Sequence, residues 1–142
     1  MMYPESYSSE PTRRTPWIIL EPGMIFIMGR SIIDNPGSIY EPVHKWLSGY
    51  IHNHTDNTRI ELGFEFINTG SIKWLYIMLR ELAEMEGLKE KARITWHYEH
   101  GDEDMQELGH TIESLFQCPF RLVEEEDMDD ECYGRILDGL LP

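Results

Sequence analysis

The stretch Phe66-Ile67-Asn68-Thr69-Gly70-Ser71-Ile72-Lys73 decides the fold, because one apolar periodicity ends in it and another begins. Before it, apolar residues alternate with polar residues or glycine from Ile60 to Phe66, which is typical of a strand with one buried face. After it, apolar residues recur every three or four positions from Ile72 to Leu82, as in an amphipathic helix. The residues between the two patterns are those preferred in turns and at helix N-caps. The stretch therefore predicts a strand that passes directly into a helix.

The same periodicities assign the rest of the chain. Residues 17–20 and 24–28 are short β-type runs separated by Glu-Pro-Gly, and a helical pattern follows over 39–50. Beyond the central helix, strands are predicted at 94–98 and 120–123, with a helix between them. This order predicts a single α/β domain with a mixed five-stranded sheet and helices mainly on one face. The other face is expected to be open, with four strand residues pointing outward: Glu61, Glu65, His97 and Glu99.

Composition outside the periodic region sets the expected domain limits. Residues 1–15 are rich in Ser, Pro, Glu and Arg without periodicity, which predicts a flexible leader. The folded domain is expected to span 16–125. Residues 126–142 begin with an acidic run, which predicts a solvated tail, and end with a short apolar patch, for which docking on the domain and docking on a partner are both open.

The charge of the chain excludes two classes of partner. Its 142 residues carry a formal net charge of −14, and such a chain repels nucleic acid and anionic membrane surfaces. No apolar stretch approaches the roughly 20 residues needed to cross a bilayer, and the first 15 residues lack the core of a signal peptide. A cytoplasmic protein is expected, in which Cys118 and Cys132 are free thiols.

The residues that could support catalysis do not form a recognisable motif. A metal-assisted hydrolase using His97, His100 and Asp102 is the enzymatic alternative, but the ligand spacing of a zinc site is absent. No nucleophile elbow and no phosphate-binding glycine loop is present either. We therefore predict a protein that is not an enzyme and that needs no metal or cofactor.

Hydroxyl groups at the junction between the strand and the helix suggest a different chemistry. A helix N-terminus carries unpaired N–H groups and a partial positive charge, so a phosphate on Thr69 would be well placed there. On these residues alone, Thr69 or Ser71 acting as a simple helix cap remains the alternative.

Several short motifs resemble the SiaC family of bacterial regulatory phosphoproteins, from about Thr15 to Val123. They are Thr15-Pro16, Gly29-Arg30-Ser31 with Asn35, Tyr40 with Trp46-Leu47 and Tyr50, Asn68-Thr69 with Ser71 and Lys73, Trp96-His97-Tyr98, and Pro119-Phe120. The resemblance implies a STAS-like fold, similar to anti-sigma-factor antagonists, in which Thr69 is the phosphorylated residue. It also implies a protein kinase and a metal-dependent serine/threonine phosphatase as partners. The dephosphorylated form is then expected to bind and activate a diguanylate cyclase, and so to control cyclic-di-GMP output and biofilm formation.

Two departures from the family pattern concern partner choice. The family usually has Tyr-Pro-Glu-Asn after Gly-Arg-Ser, whereas this chain has Ile32-Ile33-Asp34-Asn35, and Gly70 stands where the family has Ser. The helix after Thr69 also has a wide apolar arc that includes Trp74, Met78 and Met85, which suggests an exposed interface or a helix packed on two sides. A constitutive interaction subunit without a switch is the remaining alternative. The predicted partner-binding residues are Ser31, Asn35, Asn68, Gly70, Ser71, Lys73, Trp74 and Met78.

Overall fold

The computed structural model describes residues 5–53 and 56–141 of the chain. The strands are β1 (Tyr7–Ser9), β2 (Trp17–Glu21), β3 (Met24–Ser31), β4 (Thr58–Ile67), β5 (Ala92–Glu99) and β6 (Phe120–Glu125). The helices are α1 (Gly37–Asn53), α2 (Thr69–Leu82), α3 (Leu88–Lys91), α4 (Glu103–Glu113) and α5 (Asp130–Leu140).

The strands form one sheet in the order β1-β2-β3-β4-β5-β6. The first three strands pair antiparallel, and β3, β4, β5 and β6 pair parallel. The predicted hairpin between β2 and β3 and the predicted parallel order of the later strands are confirmed. The predicted number of five strands is wrong, because Tyr7–Ser9 forms a sixth strand along β2 within the segment expected to be a flexible leader. Of that leader, residues 1–4 lie outside the described residues.

One face of the sheet packs against α1, α2 and α4, and it holds the larger core. The side chains of Phe64 on β4 and Trp96 on β5 lie in this core, with their ring centroids 5.9 Å apart. Leu75 on α2 and Ile112 on α4 pack into the same cluster. Burial of many large apolar side chains on this side supplies most of the hydrophobic stabilisation of the fold.

The other face of the sheet is partly covered by α5, so the segment that was predicted to be a solvated tail is a packed helix instead. Asp129 caps this helix by accepting a hydrogen bond from the Cys132 backbone N–H at 2.9 Å. Apolar residues of α5, together with one residue just before the cap, pack on Phe26 and Met28 of β3. Those residues are Met128, Cys132, Tyr133, Ile136, Leu137 and Leu140. The acidic residues occupy the solvent side of an amphipathic helix.

Because α5 and its preceding loop lie over this face, two of the four residues expected to point outward are buried. Glu61 and His97 are each about 5% exposed, and His97 Nε2 lies 2.8 Å from Glu61 Oε1. Glu65 accepts a hydrogen bond from the Tyr133 hydroxyl and pairs with Arg30 at 3.2 Å. The polar side chains of this face thus form a layer of hydrogen bonds and ion pairs, much of it beneath the C-terminal segment.

Candidate functional site

Thr69 is the first residue of α2, and its side chain is exposed at the carboxyl end of β4. The helix cap is Asn68, whose side-chain oxygen accepts a hydrogen bond from the Ser71 backbone N–H at 3.0 Å. The alternative in which Thr69 or Ser71 caps the helix is therefore wrong. Among the described residues, the Thr69 hydroxyl has no hydrogen-bond partner, so it is available to solvent.

The hydroxyl of Ser71 is not accessible, because it ends a chain of three buried hydroxyl groups. Ser31 Oγ donates to Ser71 Oγ at 2.8 Å, and the Tyr40 hydroxyl lies 2.6 Å from Ser31 Oγ. Burial raises the pKa of Tyr40 to about 12, and its hydrogen bond with Ser31 opposes this shift, so the phenol is neutral at pH 7. At this end of α2, the side chain of Thr69 is therefore exposed to solvent and that of Ser71 is not.

Asn68 also fixes the loop that leads into α1. Its Nδ2 group donates to the carbonyl oxygen of Ile33 at 3.0 Å, and its backbone N–H donates to the carbonyl oxygen of Ser31 at 2.9 Å. The same loop places Pro36 against Gly70, where an added Cβ would lie 3.0 Å from Pro36 Cγ. Pro36 directly follows the departure at residues 32–35, so the two departures from the family pattern belong to adjoining segments, and a larger residue at Gly70 would require Pro36 to shift slightly.

The solvent-facing side of α2 continues from Thr69 as a stripe with both apolar and basic side chains. Lys73, Ile77 and Arg80 follow at intervals of three or four residues, and Ile77 is 46% exposed. Phe66, three residues before the helix, is 58% exposed. Within the described part of the chain, neither Lys73 nor Arg80 forms an ion pair. We call these five residues the α2 face.

The apolar arc expected on α2 is mostly buried. Met78 and Met85 are 1% and 4% exposed and lie in the main core. Trp74 is half-buried, with its ring against Gly37 and 6.4 Å from the ring of His44. The interpretation that α2 is packed on two sides is thus correct for these side chains. The exposed apolar residues are Phe66 and Ile77 instead.

The structure divides the other predicted partner-binding residues into interior and surface groups. Ser31, Ser71 and Met78 are fully or almost fully buried, so their side chains cannot contact a partner directly, which corrects that expectation. Asn35 is exposed, and its carbonyl oxygen accepts hydrogen bonds from Ser38 at the start of α1. The half-buried Asn68 and Gly70 lie beside Thr69. Ile77 and Arg80 were not among the predicted residues, although their helical spacing from Thr69 and Lys73 places them in the same stripe.

The residues of the hydrolase alternative do not converge on one site. His97 is buried against Glu61, whereas the exposed His100 lies 3.3 Å from Glu124, and Asp102 accepts a hydrogen bond from the Met105 backbone N–H. Across residues 5–53 and 56–141, no group of three His, Cys, Asp or Glu side chains could hold a metal ion. Each of the three side chains thus has a structural role in a different place.

Comparison with known proteins identifies the family. The SiaC family of regulatory phosphoproteins matches residues 9–125. This range includes β2 to β6 in full and the last residue of β1. This chain belongs to the SiaC family. The prediction that it is a regulatory protein and not an enzyme is confirmed by this membership. The matched region ends at Glu125, so α5 lies beyond it.

Proteins from Pseudomonas aeruginosa match this chain at low sequence identity. An uncharacterized protein of that species is 22% identical over 119 residues, covering 84% of this chain and 92% of the relative. The structure of apo-SiaC matches with a TM-score of 0.70 at 19% identity, over 83% of this chain and 98% of SiaC. The structure of the diguanylate cyclase SiaD in complex with its activator SiaC matches with a TM-score of 0.74 at 22% identity. The match covers 84% of this chain and 99% of the matched chain. The predicted fold class is confirmed.

None of the helices in the described ranges is both long enough and apolar enough to cross a bilayer.

Proposed function

We propose that this chain is a cytoplasmic phosphoswitch whose unmodified form binds and activates a diguanylate cyclase. In this proposal a protein kinase phosphorylates Thr69, a metal-dependent serine/threonine phosphatase removes the phosphate, and the output is cyclic-di-GMP. The observation that carries the proposal is the exposed Thr69 hydroxyl at one end of the α2 face. The SiaC structure in complex with the cyclase that it activates supports the choice of effector.

The α2 face has the properties of a docking surface for another protein. Phe66 and Ile77 supply apolar area that can be removed from water on binding, and such side chains are typical anchors of an interface. Lys73 and Arg80 add positive charge to the surface of a chain whose net charge is −14. An effector with an apolar strip flanked by acidic side chains would complement this surface.

Phosphorylation would change this surface without changing the fold. A phosphate brings about −1.5 to −2 charges to Thr69. The N-terminus of α2 and the ammonium group of Lys73, one helical turn away, both favour an anion at that position. In the complex, however, the dianion would have to lose water or face acidic groups of the effector, which costs a few kcal/mol.

Variants of Thr69 test the proposal directly. Thr69→Glu should weaken binding to the cyclase and leave the circular dichroism spectrum unchanged, whereas Thr69→Ala should bind normally but resist the kinase. Thr111→Glu on α4 is a matched control, because it adds the same charge at another exposed helical threonine. If the two glutamate variants bind equally well, the chain is a constitutive interaction subunit. A melted Thr69→Glu variant would contradict the local mechanism.

A further inference from the structure

A basic cleft lies at the amino ends of β4, β5 and β6, on the sheet face that α5 covers only in part. Its volume is about 830 Å³, it is open to solvent on one side, and its lining includes Arg59, Lys91, Arg93 and Arg121. These are four of the 12 Lys and Arg residues of a chain with 26 acidic side chains. We call these four residues and the space between them the arginine cleft.

The three arginines are brought together by strand register. Arg59 on β4 lies opposite Arg93 on β5, and Arg121 on β6 lies opposite Thr95, two residues further along β5. Because side chains two residues apart point to the same face of a strand, all three guanidinium groups belong to one face. Like charges at directly opposing strand positions repel, so the pair of Arg59 and Arg93 is unfavourable when no anion is present.

The acidic residues of the lining do not neutralise these cations. Glu61 is buried in the floor and is held by His97 at 2.8 Å, and Glu90 is the other carboxylate. Among the described residues, none of the four cations has an acidic oxygen within 4.0 Å. The lining therefore keeps an excess of positive charge, in contrast to Arg30, which is paired with Glu65.

We infer that the arginine cleft binds a small phosphorylated anion with several negative charges. Guanidinium groups bind phosphate oxygens through two parallel hydrogen bonds, and three arginines with one lysine match three or four phosphate charges. The volume lies within the roughly 300–1,000 Å³ that is common for sites of small molecules and is larger than a single phosphate needs. The concave shape and the acidic remainder of the chain disfavour a nucleic acid as the ligand.

The cleft is separate from the phosphorylation site. It lies at the amino end of β4, whereas Thr69 follows the carboxyl end, and a strand of 10 residues is about 30 Å long. Binding in the arginine cleft can therefore be measured independently of effector binding at the α2 face.

Calorimetric titration of the full chain with tripolyphosphate and with ATP, at 150 mM salt, tests this inference. We expect saturable binding with a dissociation constant below about 1 mM for at least one probe. Binding of both would assign recognition to the phosphate groups, and binding of ATP alone would assign the site to nucleotides. The double variant Arg93→Gln with Arg121→Gln should weaken binding at least tenfold, because charge-assisted hydrogen bonds are lost.

A second double variant controls for overall charge. Arg13→Gln with Arg135→Gln removes the same two charges from exposed positions before β2 and on α5, outside the cleft, and should leave binding unchanged. Circular dichroism establishes that both double variants are folded. The inference is overturned if neither probe binds at 1 mM, if the cleft variant binds as tightly as the wild type, or if both double variants lose affinity equally.

Discussion

The Asn68 side chain accepts the hydrogen bond of the Ser71 backbone N–H at 3.0 Å and so caps α2 in place of the threonine between them. Among the described residues, the Thr69 hydroxyl therefore forms no hydrogen bond that stabilises the helix. A hydroxyl that a helix does not need for its own stability can be modified without cost to the fold. The cap and the exposed hydroxyl are thus complementary parts of one site.

Removal of this cap should destabilise the protein. Asn68→Ala is expected to lower the free energy of unfolding by about 1–2 kcal/mol, because it leaves the Ser71 N–H and the Ile33 carbonyl without their partner. Urea denaturation measures the change. Gln106→Ala on the exposed side of α4 is the control and should change stability by less than about 0.5 kcal/mol. Equal stability of the two variants would show that Asn68 is not the cap.

Docking on the α2 face should depend on its two exposed apolar residues. Phe66→Ala and Ile77→Ala are each expected to weaken binding to the cyclase by about 1–2 kcal/mol, which is roughly 5- to 30-fold. Surface plasmon resonance measures the affinities. Leu141→Ala removes a similarly exposed apolar side chain, 51% exposed, outside this face and should leave the affinity unchanged. An unchanged affinity for both α2-face variants would exclude this surface as the interface.

Stability should fall in alkaline solution because of Tyr40. Burial raises the pKa of Tyr40 to about 12 in the folded protein, whereas the phenol of the unfolded chain ionises near pH 10. Its contribution to stability is therefore complete below pH 10 and is lost as the pH rises toward 12. Near the middle of this range the loss is on the order of 1 kcal/mol.

The variant Tyr40→Phe isolates this effect. It should be less stable than the wild type at pH 8 by about 1 kcal/mol, because Ser31 loses a hydrogen-bond partner. Denaturant titrations at pH 8 and pH 11 should show that the difference between the two proteins shrinks at the higher pH. A constant difference would mean that Tyr40 does not titrate differently in the folded and unfolded chains.

Much of the fold could be predicted because strong periodicities determine it. The alternation before Phe66 and the helical spacing after Ile72 correctly predicted β4 and α2, and the same reasoning located β2, β3, β5 and β6. The strand Tyr7–Ser9 was missed, because three residues, two of them serine, carry no periodic signal. The helix Asp130–Leu140 was missed because its acidic residues dominated an interpretation based on charge, although Cys132, Tyr133 and Ile136 already have helical spacing.

The candidate site was predicted only in part, because sequence spacing does not decide which side of a helix faces the core. Thr69 was correctly predicted to lie at the junction of a strand and a helix, where its side chain is exposed. The burial of Met78 and the exposure of Ile77 depend on how α2 packs against the sheet and α1. Likewise, the burial of Glu61 and His97 follows from a C-terminal segment that was expected to be solvated.

The affinity of the cyclase for this chain, measured before and after phosphorylation, tests the central claim most directly. The phosphorylated protein is prepared with the kinase and ATP, and peptide mapping verifies that Thr69 carries the phosphate. The account predicts at least roughly hundredfold weaker binding of the phosphorylated form, which corresponds to about 2.7 kcal/mol. Equal affinity of the two forms, or a phosphate located at another residue, would contradict it.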